Sequence, residues 1–341
     1  MPPFLKRFAK GCVRLFVAAG GDWLCALAAP LVRFMAQSGA GTNACLKLRC
    51  LPLRVHFYSP VPDLADLARR GVWTRRSELP GVDLNIPGQL ALLGELGAAF
   101  CAECDWPREP GADPRAFHTH NSSFSFGCAA ALHTLLRRHR PRRVIEIGSG
   151  MSSLVISAAL TRNTAAGAPP ADYTIVDPFP GAVVAAGLPA LSRLLRQPVE
   201  TTDLALYTAL GDGDVLFIDS GHTVKTGGDV NFVILDVLPR LASGVLVHFH
   251  DISLPDEYPD VYFTNPAFRV FWTEAYLLQA FLSGNRDWAV LLAMHYLMTD
   301  HAAAFARAFP AAAGAWPLVS GSFWLRRRPA GPLPPPTPLT P

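Results

Sequence analysis

At 341 residues, half of them hydrophobic and 17% charged, the chain is too apolar to be disordered throughout and long enough for one large domain with additions, or for two domains. Its 30 Lys and Arg against 27 Asp and Glu leave a net charge of +3, which supplies no general field for gripping nucleic acid, so RNA and DNA are not expected partners. Seven cysteines, at 12, 25, 45, 50, 101, 104 and 128, are too few and too scattered for a disulfide scaffold and point to a reducing compartment, the cytoplasm.

Lys6, Arg7, Lys10 and Arg14 precede an apolar stretch from Leu15 to Val32, a layout shared with signal anchors. Asp22, the Gly20-Gly21 pair and Pro30 interrupt it, and an aspartate in mid-span costs roughly 2.5 to 3.5 kcal/mol on insertion scales. A helix over residues 12–35 that lies on a membrane surface, or on the protein's own body, fits the pattern with less strain. From Leu51 to Pro114 the chain is rich in Pro and Gly, with short helical pieces at Leu64–Arg70 and Gln89–Phe100, so residues 1–115 read as an N-terminal cap or extension. Within it Cys101-Ala-Glu-Cys104 has redox or half-zinc spacing. No second CxxC follows, and two small apolar residues at a helix end is the preferred reading.

From His118 the texture changes. His118 and His120 precede Asn121 at an expected helix cap, and Cys128, Leu132, Leu135 and Leu136 share one face of a helix that Pro141 stops. Arg143 to Ile147 reads as a strand that ends in Gly148-Ser149-Gly150, with a helix following from Ser152 to Leu160. Further strands are Tyr173–Val176 ending at Asp177, Val215–Ile218 ending at Asp219, and Val245–Phe249 ending near Asp251. Between the last two lies a helix whose buried stripe is Val230, Ile234, Val237, Leu238 and Leu241. Continuous apolar strands alternating with amphipathic helices imply an α/β fold, a doubly wound, mostly parallel sheet covered on both faces over residues 116–327. Phe268, Phe271, Trp272, Ala275 and Leu282 suggest one more helical face, and a Pro-rich tail occupies 328–341.

Ligands of open α/β sheets bind at the carboxyl ends of the strands, so Gly148 to Ser153, Asp177, Asp219 to His222 and His248 to Asp251 should meet in one crevice. Gly148 and Gly150 let backbone approach a ligand, Ser152 or Ser153 can cap the following helix, and Asp177 is placed to accept hydrogen bonds from ribose hydroxyls. Nicotinamide and adenosyl cofactors both satisfy this much. Glu146, two residues before the first glycine, disfavours the nicotinamide fingerprint, and as a buried carboxylate it requires a partner, a ligand ammonium or backbone amides.

Glu146-Ile-Gly-Ser-Gly150 with Asp177 resembles the first two motifs of class I S-adenosylmethionine-dependent methyltransferases. Val144–Ser153, Ile175–Pro180, Asp214–His222 and Val247–Pro259, in that order, are similar to one bacterial branch of that superfamily. The resemblance covers roughly residues 118–326 and implies a Rossmann-like sheet of seven strands ending in an antiparallel pair, for which Trp288–Ala293 and Gly321–Leu325 are the available segments. It also implies that Glu146, Gly148, Ser149, Gly150 and Ser152 hold the methionine portion of S-adenosylmethionine and Asp177 the ribose, with Asp219 nearby. Ser152 stands where the family's third small residue is usual.

Methyl transfer to a hydroxyl needs alignment and a proton acceptor, and Asp219, His222 and His250 are the candidate catalytic groups. Metal-dependent O-methyltransferases place aspartates at positions similar to Asp219 and Asp251, with Mg²⁺ the default ion, although Ile252 replaces their next ligand. Lys225 is a further candidate base or phosphate contact, with a solvated surface lysine the commoner outcome. The expected activity is O-methylation of a small-molecule or glycan-like acceptor. A non-catalytic adenosyl-binding scaffold and a nicotinamide-dependent oxidoreductase are the alternatives.

Overall fold

The computed structural model describes residues 21–265, 269–314 and 320–329. The basic residues before Gly21, Phe268 and the tail beyond residue 329 lie outside them. Two compact units divide after Val72. Residues 73–115, read from sequence together with 1–72, belong to the unit that holds the sheet.

The first unit contains the helix Gly21–Ser38, a short helix Thr42–Lys47 and the helix Leu64–Arg69. The last of these starts where expected because Asp63 caps it, accepting hydrogen bonds from the backbone N–H groups of Ala65 and Asp66.

The second unit is built on seven strands: β1 (Arg143–Ile147), β2 (Asp172–Val176), β3 (Leu191–Leu195), β4 (Val215–Ile218), β5 (Leu246–Phe249), β6 (Trp288–Ala293) and β7 (Phe323–Arg327). Their order across the sheet is β3-β2-β1-β4-β5-β7-β6. The first five run parallel, and β7 enters antiparallel between β5 and β6. The order reverses between β1 and β4, which sets a topological switch point at their carboxyl ends. β4 and β5 are buried throughout, and β1 and β2 apart from their first residues, as continuous apolar strands under helices on both faces must be.

Helix ends follow local chemistry. Ser125, not Asn121, caps the helix Phe126–His139, accepting from the Cys128 N–H, while Asn121 folds the preceding turn by bonding His118 and Phe124. Arg140 closes that helix in the left-handed region at φ 47° before Pro141. The predicted stripe Val230, Ile234, Val237, Leu238 and Leu241 is buried, but the segment is a π-wound turn at Phe232–Val237 followed by a 3₁₀ turn, where Pro239 can donate no backbone hydrogen bond. The aromatic face predicted for 268–282 is not one helix: the helix begins at Glu274, and Phe271 and Trp272 lie in the loop before it. β7 starts two residues later than predicted.

The CxxC pair closes the helix Ile86–Phe100 as a 3₁₀ turn, and burial pushes the Cys104 thiol up to about 12, far from thiolate chemistry. Between the two cysteines Glu103 accepts from Arg137 at 2.8 and 3.0 Å and pairs with His133 at 2.8 Å, tying this turn to the helix Phe126–His139. Burial opposes charge on Glu103, yet Arg137 and His133 outweigh it and bring the carboxyl down to about 2. A depressed carboxyl pKa contributes stability above its unfolded value near 4.5 and loses it as pH falls toward 2. Glu103→Gln should therefore destabilise the fold at neutral pH by on the order of 2 kcal/mol and flatten the loss of stability between those pH values, which denaturant titrations at a series of pH values will read.

Candidate functional site

The carboxyl ends of β1, β2, β4 and β5 bring the sequence candidates into one region. Gly148, at φ 79°, turns the chain out of β1, and a side chain there would collide with the backbone carbonyl of Asp219. Only glycine permits this approach. The turn and the end of β4 are therefore in direct contact.

Glu146 takes a different part from the one the motif suggests. Its carboxylate is fully buried, with Oε1 accepting from the Ser152 hydroxyl at 2.6 Å and the Ser153 hydroxyl at 3.0 Å, and Oε2 from the Tyr173 hydroxyl. Its partners are three hydroxyls of this chain rather than a ligand ammonium or backbone amides. Burial raises the carboxyl to about 7, against the pull of those hydrogen bonds. Ser152 is likewise buried and turned inward, so Glu146 and Ser152 shape the glycine turn from behind. Ser153 also accepts from the Gly150 N–H at 3.1 Å, which fixes the start of the helix Met151–Ala165.

Ser149 donates to Asp177, whose other oxygen accepts the Phe179 N–H at 2.7 Å. Asp177 is thereby held at the rim of β2, and beside it the ring of Phe179 stands 89% exposed.

Around the ends of β4 and β5 the charges concentrate. His222 and Asp251 both adopt the left-handed backbone region, at φ 53° and 56°, where branched or bulky residues are strained. The His222 carbonyl receives the N–H groups of Thr273 at 2.9 Å and Glu274 at 3.1 Å, and Asp251 packs against Gly321, where a side chain would sit 2.7 Å from its Cα. His222 Nδ1 meets Glu274 Oε2 at 2.8 Å, while Nε2 faces Asp219 at 3.2 Å and Asp251 at 3.6 Å. His250 Nδ1 stands 3.5 Å from each aspartate, and its ring stacks on Phe124 at 5.1 Å.

These contacts set the protonation states. Burial opposes charge on His222, but Asp219 and Glu274 outweigh it and lift the imidazole to about 10. His250 is raised well above its ordinary value, against burial, by Asp219 and Asp251. Asp219 is held far below the usual carboxylate range because His250 and His222 outweigh its burial. Both imidazoles, expected as general bases, are thus biased toward the protonated form in this arrangement, and in that form they donate rather than accept protons.

Asp219, His222 and Asp251 present one donor atom each, all within 4.8 Å of one another. His222 Nδ1 pairs with Glu274 while Nε2 faces the two carboxylates, the arrangement that orients metal-binding histidines. Two carboxylates and an imidazole so disposed fit a divalent cation. His248, by contrast, is structural: fully buried, stacked on Phe217 at 3.9 Å and bonded to Ser322 at 2.9 Å. Lys225 is exposed on the loop after β4.

A cavity of about 200 Å³ opens beside this cluster, lined by His250, Asp251, Asn121, Ser122, Ser123, Ser253, Glu257, Tyr258, Tyr262 and Cys128. Sequence reasoning had placed Cys128 only on a core face. Its sulfur accepts from Ser125 at 3.2 Å and meets Ser320 at 3.0 Å, and His250 outweighs burial to bring the thiol down to about 7. Glu274 was also missed. The signal for it lay in the spacing Glu274, Leu278, Leu282, a carboxylate on an otherwise apolar buried stripe.

A family model described as a methyltransferase domain matches residues 145–252. An uncharacterised protein of Archaeoglobus fulgidus is 30% identical over 162 residues, which span 46% of this chain and 72% of that protein. Among solved structures, a Podospora anserina methyltransferase bound to S-adenosylhomocysteine is similar at 19% identity and a TM-score of 0.38, over 70% of this chain and 88% of that one. A Plasmodium falciparum structure titled as a putative protein-L-isoaspartate O-methyltransferase with S-adenosyl-L-homocysteine matches at 11% identity and a TM-score of 0.26, over 55% and 81%.

If Glu146 supports the turn rather than touching a ligand, Glu146→Gln, which can keep all three hydroxyl partners, should remain folded with near-normal stability at pH 8. Glu146→Ala should lose about 2–4 kcal/mol by stranding three buried hydroxyls. Equal stability of the two variants in urea titration would refute the supporting role.

Proposed function

We propose that this chain, which belongs to the class I methyltransferase superfamily, transfers the methyl group of S-adenosylmethionine to an oxygen of a small-molecule or glycan-like acceptor in the reducing cytoplasm. The observation that carries the reading is the contact of the Gly148 turn with Asp219. It sets the cofactor turn against the charged cluster that faces the cavity.

The cofactor supplies a methyl group already activated on a sulfonium, so the chain's residues need to align an acceptor and favour loss of its proton. The start of the helix at Met151, just after the glycine turn, offers backbone N–H groups to its anionic end. Asp177 supports the ribose reading, and the exposed Phe179 ring offers an apolar face for an adenine. In the cavity, the hydroxyls of Ser122, Ser123 and Ser253 and the Glu257 carboxylate, beside the rings of Tyr258 and Tyr262, combine hydrogen bonding with flat apolar surface. That chemistry suits a polyhydroxylated ring.

Asp219, Asp251 and His222 Nε2 would hold a divalent cation, whose charge lowers the pKa of an acceptor hydroxyl. An imidazole in the set suits a first-row ion such as Mn²⁺ better than the Mg²⁺ expected from sequence. Glu274 then acts as a positioning residue for His222, and His250 balances the charge of the two carboxylates.

Calorimetric titration with S-adenosylhomocysteine, run beside NAD and NADP, should give saturable binding of the first alone. Asp177→Ala should weaken it by about 1.5–3 kcal/mol; binding of a nicotinamide cofactor, or of none, overturns the reading. Glu274→Gln should lower Mn²⁺ affinity about 10- to 100-fold with the fold intact. Unchanged affinity, or methyl transfer that survives exhaustive chelation, would remove the cation from the proposal.

A further inference from the structure

We infer that the N-terminal unit docks on an anionic lipid surface, with the bulky side of the helix Gly21–Ser38 seated in the interfacial layer. Trp23, Leu27, Leu31 and Phe34 are 59, 69, 62 and 57% exposed. At a helical turn of about 100° per residue they occupy an arc of roughly 80°. Arg33 falls outside that arc, on a side whose other described residues include Cys25, Ala26, Ala29, Val32 and Ala36. One side of this helix thus carries large apolar groups, with no described side chain of the helix buried.

Charge identifies what covers it. Residues 1–62 hold eight Lys and Arg (Lys6, Arg7, Lys10, Arg14, Arg33, Lys47, Arg49 and Arg54) against a single acid, Asp22. The remaining 279 residues carry 22 basic against 26 acidic groups, so the whole positive excess belongs to the segment that exposes the apolar face. A basic segment with an unpartnered bulky face is complementary to anionic headgroups over an acyl layer. Phe57 and Tyr58, 80 and 85% exposed close to Arg54, add aromatic rings of the kind that settle at that interface. Pairing with a second copy would instead bring two such basic segments together. Among the described residues no helix is long and apolar enough to cross a membrane, which makes the contact lateral rather than spanning.

The test is sedimentation of the full chain with vesicles of phosphatidylcholine alone or with about 30 mol% phosphatidylglycerol, at low salt and at about 0.5 M salt. The protein should partition onto the anionic vesicles, at least tenfold more weakly onto the neutral ones, and should be released by salt. Trp23→Ser combined with Leu27→Ser should lower partitioning at least tenfold with unchanged thermal unfolding of the rest of the chain. Absence of binding, equal binding to both vesicles, or full binding by the double variant overturns the inference. So does a wild-type dimer that the double variant converts to monomer, or a protein released only by detergent.

Discussion

A carboxylate with no access to water organises the centre of this molecule. Glu146 sits in β1, an interior strand of the sheet, and draws in hydroxyls from the start of the next helix and from the neighbouring strand β2. Charge at such a site is expensive, and three donated hydrogen bonds offset that cost while fixing the geometry of everything they come from. Ser153 is held on one side by Glu146 and on the other by the Gly150 N–H, so the position of the glycine turn is inherited from a fully buried ionisable group. Asp177 and the Asp219 backbone then take their places against that turn.

The second cluster shows the opposite use of charge. Its carboxylates are partly open, its histidines are closed off, and two of its residues sit in strained backbone conformations held by hydrogen bonds and tight packing from outside the β4 and β5 ends. Strain of this kind persists because neighbouring structure over-determines it. His222 and His250, both biased toward the protonated form, each face two aspartates that would otherwise repel. Asp219, Asp251 and a neutral His222 would hold a divalent cation there, whose charge would offset the same repulsion.

Much of the fold was legible because buried parallel strands read as short apolar runs ending in Gly or Asp, and β1, β2, β4, β5 and β6 stand within a residue of their expected bounds. β3 was not legible. Leu191–Leu195 is an edge strand with Ser192 and Arg193 exposed, which resembles a loop as much as a strand. The strand-end aspartates and histidines were also readable by position, since the sheet topology dictates where ligands go. Roles were harder. That Glu146 is served by hydroxyls, or that Glu274 reaches His222 from 52 residues away, depends on contacts between distant segments that no local pattern encodes. The helix at 274–282 shows the same limit, because an aromatic run at helical spacing can equally line a loop.

The place of β7 has a consequence for how the molecule is made. The segment from Gly321 to Arg327 props up Asp251, bonds His248 through Ser322 and fills the gap between β5 and β6. During synthesis, β5 therefore waits with an open flank, and β6 has no neighbour at all, until residue 327 has cleared the ribosome exit tunnel. The nascent chain can assemble β1 to β4 as it emerges. Its charged cluster is completed only once Gly321 to Arg327 has joined the sheet, so a chain cut short before Gly321 has a sheet that lacks the support for its chemistry.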